Sequence, residues 1–104
     1  MQVYKITGHV TLCRVHPSFI GGRLLTAESY AHELLGLPAN PEGDTVVVWD
    51  DLGAYDGALV AVSDGAEAAQ PFRPAIKPVD AYCAAILDEV SIQPSALQRL
   101  ELKK

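Results

Sequence analysis

The stretch QVYKITGHVTLCRV, residues 2–15, alternates apolar and polar side chains with a period of two. One face of such an extended chain holds Ile6, Val10 and Leu12, and the other holds Thr7, His9, Thr11 and Cys13. This alternation is typical of a strand with one buried face. Gly8 interrupts it, as in a strand that bends to close a barrel. The stretch therefore predicts the first strand of a small β-barrel or sandwich.

Turn residues follow at short intervals and separate three further predicted strands. Pro17 ends the first strand because it lacks a backbone donor, and Gly21–Gly22 supplies a tight turn. The further strands are predicted at residues 23–30, 45–49 and 58–63. Short strands with frequent turn signals favour a mainly β fold, and 104 residues favour a single domain.

Two of these strands are almost wholly apolar. A continuous apolar strand such as Val46–Trp49 or residues 58–63 is usually buried on both faces. In a small antiparallel barrel, this pattern indicates a subunit interface. The irregular connection 31–44 carries Leu34, Leu35 and Leu37, and we expect it to dock either on its own barrel or on a neighbour.

The last third of the chain is harder to interpret from its pattern. Gly65–Ala69 is expected to form one helical turn within the connection 64–78. Residues 79–92 fit either a helix capped by Asp80 or a strand, and propensity favours the helix. After Pro94, Ser95 can cap a short C-terminal helix, which at about eight residues needs packing to be stable.

Charge and hydropathy exclude several classes of partner. The net charge is −5, and the basic pair Lys103–Lys104 stands at the end of the sequence. Nucleic acids and anionic membranes attract basic faces, so we expect neither as a partner. No apolar run approaches the roughly 20 residues of a membrane span, and residues 1–15 lack a signal-peptide pattern. These features favour a cytoplasmic protein.

The cysteines and histidines do not form a recognisable metal motif. Cys13 and Cys83 lie among apolar residues, and we expect both to be buried free thiols. His9 and Cys13 share a strand face, but a zinc site needs three or four ligands. The remaining candidates, His16, His32 and Cys83, have no recognised spacing. We therefore predict no metal site.

No catalytic constellation rises above background either. The segment Ser63–Gly65 lacks the glycine-flanked serine of a hydrolase elbow, and a Cys13–His pair has no local signature. We expect the carboxylate pairs Asp50–Asp51 and Asp88–Glu89 to be solvated at strand edges or in turns. Alternatively, they accept hydrogen bonds from local backbone donors. No phosphate-binding glycine pattern occurs. We predict no enzyme activity and no cofactor.

Several stretches resemble, in order, one known family. They are Met1–Val3 with Gly8–Thr11, Asp51–Ala54, Leu59–Ser63 with Gly65–Ala69, and Pro78–Ala81 with Ile86–Val90. Together they are similar to the opening strand, the D-x-x-G-A segment, the V-L-V-S strand with its small-residue turn, and the P-V-D-A ending of the EutN/CcmL family of bacterial microcompartment vertex proteins. The resemblance covers residues 1–92. The chain departs from the family pattern at Tyr55, at Ala58–Leu59 and at Ala69.

This resemblance implies a fold and a role. The fold is a five-stranded barrel of the oligonucleotide/oligosaccharide-binding type, with a short helical turn near 79–82 and a strand at 83–91 in place of the helix. The role is that of a cyclic homopentamer that caps the vertices of a polyhedral shell in the cytoplasm, beside hexameric shell proteins. The domain is then residues 1–92, and residues 93–104 are a C-terminal extension.

Candidate site residues follow from the resemblance and from the apolar strands. At the five-fold axis, lined by small residues and made acidic by Asp64 or Glu67, we expect Ser63, Asp64, Gly65, Ala66 and Glu67. At the subunit interface we expect Leu34, Leu35, Leu37, Val47, Trp49 and Leu59. At the rim that meets the neighbouring shell proteins we expect Arg23, Arg73 and Lys77.

Two other hypotheses belong to different functional classes. The first is a small barrel that binds a carbohydrate or a protein ligand, since the negative charge and the seven scattered aromatic residues do not suit an oligonucleotide. The second is a small enzyme that uses a histidine or a thiol. The number of subunits in solution separates the first from the shell protein, and loss of an activity on replacing Cys13 or His9 would support the second.

Overall fold

The computed structural model describes residues 1–39, 43, 45–74 and 79–93. Within these residues the strands are β1 (Gln2–Val10), β2 (Arg23–Ser29), β3 (Thr45–Asp50), β4 (Leu59–Asp64) and β5 (Ala81–Leu87). The helical segments are a first 3₁₀ helix at Pro17–Phe19, a single turn of α-helix, α1, at Ala31–Leu34, and a second 3₁₀ helix at Gly65–Phe72. None of the described helices is long and apolar enough to cross a membrane.

The strands close a barrel in the order β1-β2-β3-β5-β4. The pairs β1–β2, β1–β4, β2–β3 and β4–β5 are antiparallel. The contact that closes the barrel is parallel and pairs Trp49 of β3 with Tyr82 of β5. The predicted five-stranded, mainly β barrel is confirmed.

The alternation predicted for the first strand is present in β1. Ile6 is buried, whereas Thr7 and His9 are exposed. The pairing register with β2 shifts between Ile6 and Gly8, which is a bulge that bends the strand. Gly8 therefore marks the bend that its position predicted, and β1 ends at Val10 rather than at residue 15.

The core fills the inside of the barrel with small and branched side chains. Tyr4 and Ile6 of β1 meet Leu25 of β2 and Val48 of β3 there. The other members are Ala27, Ala54, Ala58, Val60, Val62, Ala81 and Cys83, with Val46 and Ile86 packed against them. The inward rows match across the strands, since Leu25 pairs with Val48. Every strand thus contributes to one core.

The helical turn expected near 79–82 is wrong, as is the helix that propensity favoured there. Ala81 begins β5 and pairs with Asp64 of β4, and it is 7% exposed. Cys83 lies in the core. An extended chain points Ala81 and Cys83 into the barrel together, which a helical turn does not do. The helical residues fall instead at Gly65–Phe72, which includes the turn expected at Gly65–Ala69.

The leucine-bearing connection starts with a short helix. The Tyr30 N–H donates to the Val3 carbonyl at 3.0 Å, and this bond places α1 beside β1. The predicted C-terminal helix after Pro94 and the predicted rim residue Lys77 lie outside the described residues.

Candidate assembly surface

The outer face of β2 and β3 carries an apolar row. Leu24 pairs with Trp49, and Thr26 pairs with Val47. Because side chains alternate along a strand, these four residues point out of the barrel while their neighbours Leu25 and Val48 point into the core. Val47 is 46% exposed. A solvated sheet face normally carries polar residues at such positions, so this row is a candidate contact surface.

Trp49 belongs to this outer row but is covered by its own chain. The first 3₁₀ helix places the ring of Phe19 with its centroid 5.5 Å from the Trp49 indole. His16 caps that helix, since its Nδ1 accepts the Ser18 N–H at 3.1 Å. Gly22 also approaches closely, because a Cβ there would overlap the indole ring. Trp49 is therefore only 2% exposed.

A groove runs between β3 and β5 along this outer face. One part, of about 170 Å³, is lined by Phe19, Leu24, Val47, Trp49, Val79, Asp80 and Ala81. The adjoining part, of about 360 Å³, is lined by Val46, Val47, Asp64, Gly65, Asp80 and Ala81. The two parts share Val47, Asp80 and Ala81, so we describe them together as the β3–β5 groove. It is apolar at the Phe19 end and acidic at the Asp64 end.

A second depression, the hairpin groove, lies between the two arms of the β1–β2 connection. It has a volume of about 370 Å³ and is lined by His9, Val10, Thr11, Leu12, Val15, Phe19, Gly22, Arg23, Leu24 and Trp49. Leu12 and Val15 at its edge are 41% and 48% exposed, and Ile20 nearby in the chain is 77% exposed. Strand periodicity did not identify this surface, because the exposed residues follow the end of β1.

Asp50 is a buried carboxylate at the end of β3. It is 1% exposed, and its carboxylate accepts the backbone N–H groups of Leu52, Gly53 and Ala54 at 3.1, 3.1 and 2.8 Å. The expectation that the Asp50–Asp51 pair is solvated is wrong for Asp50. It holds for the neighbouring Asp51, which is exposed. The alternative expectation is confirmed for Asp50, since its carboxylate accepts hydrogen bonds from local backbone donors.

The predicted rim residue Arg23 contacts the Asp50 carboxylate and the loop that follows it. Its Nη2 donates to the Ala54 carbonyl at 2.7 Å and lies 3.5 Å from Asp50 Oδ2. The Arg23 side chain remains 56% exposed. Arg23 thus holds the loop after β3 and still presents part of its guanidinium outward. Arg73, the other described rim residue, is exposed after the second 3₁₀ helix.

The two cysteines have different environments. Cys83 is buried, as expected, but Cys13 is exposed, so the prediction of two buried thiols is wrong for Cys13. It follows the end of β1, where no sheet covers it. Burial, reinforced by the nearby negative charge of Asp50, raises the pKa of the Cys83 thiol to about 12. Cys83 is therefore protonated and unreactive at neutral pH.

The residues expected at the axis lie at the end of β4 and the start of the second 3₁₀ helix. Ser63 is half-buried, whereas Asp64 and Gly65 are exposed. Gly65 has a φ of 74°, which favours glycine, and its N–H donates to the Asp80 carbonyl at 2.8 Å. Ala66 and Glu67 follow in the same 3₁₀ helix. These residues form one continuous turn beside the acidic end of the β3–β5 groove.

The residues expected at the interface differ in how much surface they offer. The four leucines Leu34, Leu35, Leu37 and Leu59 are half-buried. Val47 is 46% exposed, and Trp49 is covered. Trp49 therefore has almost no surface left for a partner. Among the described residues no three metal-ligating side chains converge, so the structure does not bring the histidines and cysteines into one site.

Comparison with known proteins matches the chain over nearly its whole length. The family model described as ethanolamine utilisation protein EutN/carboxysome matches residues 1–88. The shell vertex protein PduN of Salmonella typhimurium is 32% identical over 91 residues, which cover 88% of this chain and 99% of PduN. The shell vertex protein EutN of the same organism is 30% identical over 90 residues, 86% of each chain.

A solved structure extends this similarity to the fold. The GrpN pentameric microcompartment shell protein from Rhodospirillum rubrum superposes with a TM-score of 0.72 and 29% sequence identity. The superposition covers 89% of this chain and all of GrpN. The described barrel thus has the fold of GrpN, a pentameric shell protein.

Proposed function

The chain belongs to the EutN/CcmL family of microcompartment shell vertex proteins, and we propose that five copies close into a ring that caps a vertex. It is a structural shell protein, located in the shell of a microcompartment in the cytoplasm. Its family membership rests on the match over residues 1–88 and on relatives covered almost end to end. We propose that residues 1–92 form the barrel domain and that residues 93–104 are an extension.

The physical role of such a ring is to supply curvature. A flat layer of six-sided tiles cannot close into a polyhedron, and five-sided tiles at the corners allow it to close. Five identical copies form such a tile by repeating one heterologous contact around an axis until the ring closes. Hexameric shell proteins are then the partners at the rim, with the exposed parts of Arg23 and Arg73 among the polar contacts.

The observation that best supports the proposed ring is an apolar row of side chains on the outside of the barrel. Val47 stands in the middle of β3, points outward and is 46% exposed, next to the groove lined by Leu24, Val79 and Ala81. An exposed groove of this kind marks an interaction surface. The repeated contact between subunits covers it, together with the half-buried leucines of the α1 connection and Leu59.

The turn Ser63–Glu67 is our candidate for the five-fold axis. Asp64 is exposed at its start, so five copies would surround the axis with carboxylates and disfavour anions there. Small residues at Gly65 and Ala66 would let five turns approach one another. We propose that the ring mainly seals the corner.

We propose no catalytic role and no cofactor for this chain. The relatives PduN, EutN and GrpN are structural shell proteins. Their similarity over the whole barrel favours the shell protein over the carbohydrate- or protein-binding module.

Val47→Asp tests the proposed contact surface. A charge in the middle of the covered row would have to be desolvated in the ring, so we expect this variant to be a folded monomer by light scattering and circular dichroism. Leu52→Asp, at an apolar residue of similar exposure (48%) outside the proposed interface, is the matched control and should stay pentameric. A pentameric Val47→Asp protein would contradict this placement of the interface.

A further inference from the structure

The chain separates its charge into an acidic barrel and a basic last segment. Residues 94–104 have the sequence PSALQRLELKK and hold three of the eight basic side chains but one of the 13 acidic ones. They also carry Leu97, Leu100 and Leu102. A segment with leucines and a basic end needs an apolar surface that finishes next to acidic groups.

The β3–β5 groove has this chemistry. Phe19, Leu24, Val47 and Val79 line its apolar end, and Asp64 and Asp80 line its acidic end beside Val46 and Ala81. Both carboxylate-bearing residues are exposed. The groove and the segment therefore match in two respects, since leucines can cover the valines while the basic residues lie near the aspartates.

The direction of β5 favours the groove of an adjacent subunit over the chain's own groove. β5 begins beside the groove at Ala81, where it pairs with Asp64, and ends at Leu87, opposite Leu59. Six residue steps in a strand carry the chain about 20 Å away from its own groove. A heterologous ring brings different faces of consecutive copies together, and 11 residues can span up to roughly 36–40 Å. This length would let the segment pass from the end of β5 onto a neighbouring subunit of such a ring.

We propose that residues 94–104 of each subunit lie in the β3–β5 groove of the adjacent subunit, with the basic end next to Asp64 and Asp80. This rests on the proposed pentamer and goes beyond it, because it names the segment that covers the exposed Val47 row. The contact links each subunit to the next and offsets the repulsion among five copies of Asp64 around the axis.

Cross-linking tests which groove the segment occupies. On a Cys13→Ser background, Thr45→Cys on the outer face of β3 is combined with Gln98→Cys in the segment and treated with a short bismaleimide. We expect covalent dimers to pentamers on a denaturing gel. The same segment variant paired with Asp56→Cys, an exposed position in the loop before β4 and so at the other end of that strand from Asp64, and each single-cysteine variant should give few or none. A cross-linked monomer without a ladder would place the segment in its own groove, and absence of any cross-link would exclude the groove; either result overturns the proposal.

Charge removal gives a second and independent readout. If the basic segment lies at the acidic end, the pair Asp64→Asn and Asp80→Asn should raise the ring's dissociation midpoint by about three- to ten-fold at low salt, in keeping with two exposed ion pairs. The pair Asp56→Asn and Asp88→Asn removes the same charge elsewhere and should change it little. A tighter ring after the first pair of substitutions would mean uncompensated repulsion and would contradict the proposal. Native mass spectrometry of the Cys13→Ser background protein tests the pentamer separately. A pentamer that gives no ladder of cross-linked subunits would contradict the placement of the segment but not the proposed ring.

Discussion

The ring of Phe19 covers the indole of Trp49 on the outside of the barrel, with the two centroids 5.5 Å apart. This contact explains why the apolar run of β3 presents only part of itself to a neighbour. Val48 points into the core and Val46 packs against it, Trp49 is covered by its own chain, and Val47 remains exposed. The contact surface of β3 is therefore centred on one valine and the groove beside it.

Gly22→Ala should disturb this covered tryptophan. The added Cβ would overlap the indole of Trp49, and overpacking of this kind costs about 1–3 kcal/mol. Trp49 is the single tryptophan of the chain, so its fluorescence reports the change directly. We expect a red-shifted emission and a lower midpoint of chemical unfolding. Ile20→Ala, at a 77% exposed position in the same connection, is the control, and equal effects of the two substitutions would contradict this account.

Asp50→Ala should be among the most destabilising substitutions outside the apolar core. It leaves the amides of Leu52, Gly53 and Ala54 without their acceptor, and we expect a loss of about 3 kcal/mol. Urea unfolding measures the loss. Asp51→Asn, at the exposed neighbour, should change the free energy of unfolding by less than about 0.5 kcal/mol. Comparable stability of the two variants would show that the carboxylate does not organise the loop.

Thiol reactivity should distinguish the two cysteines. Cys13 is exposed and Cys83 is buried, and the raised pKa of Cys83, about 12, keeps it as the unreactive thiol. We expect one equivalent of a thiol reagent to react with the native subunit at pH 8 and two with the unfolded chain. Rapid reaction of two equivalents with the native protein would contradict the burial of Cys83.

Cys83 should also make the free energy of unfolding decrease at alkaline pH. The pKa of the thiol is raised from 9.0 to about 12 by burial and by Asp50, so the unfolded chain loses this proton at lower pH than the folded barrel. Stability should therefore fall as the pH rises from about 9 towards 12. The slope should be shallower in Cys83→Ala when chemical unfolding is followed across this range. Parallel curves for the two proteins would rule out Cys83 as the cause.

The barrel was predictable where one strand face is buried and the other is solvated. The alternation around Ile6 and the bend at Gly8 depend on local sequence and were confirmed by the structure. The strand at Ala81–Leu87 was not predictable from propensity, because its alanines and Cys83 suit a helix equally well. Pairing with β4 and burial in the barrel decide the conformation there, and these are long-range contacts.

The candidate site was predictable only in part for a similar reason. A run of apolar residues indicates burial but does not say whether the cover comes from the same chain. Trp49 is covered by Phe19 through a turn 30 residues earlier, whereas Val47 is left exposed. Asp50 is buried because backbone amides converge on its carboxylate in the folded loop. The sequence alone therefore could not show that Asp50 is buried and its neighbour Asp51 is exposed.

Native mass spectrometry of the purified wild-type chain tests the central claim most directly. We predict a dominant species of five subunits that persists on dilution and dissociates into folded single chains in mild denaturant. A protein that stays a folded single subunit at high concentration, or one that closes only into a ring of another number, would contradict the proposed vertex pentamer.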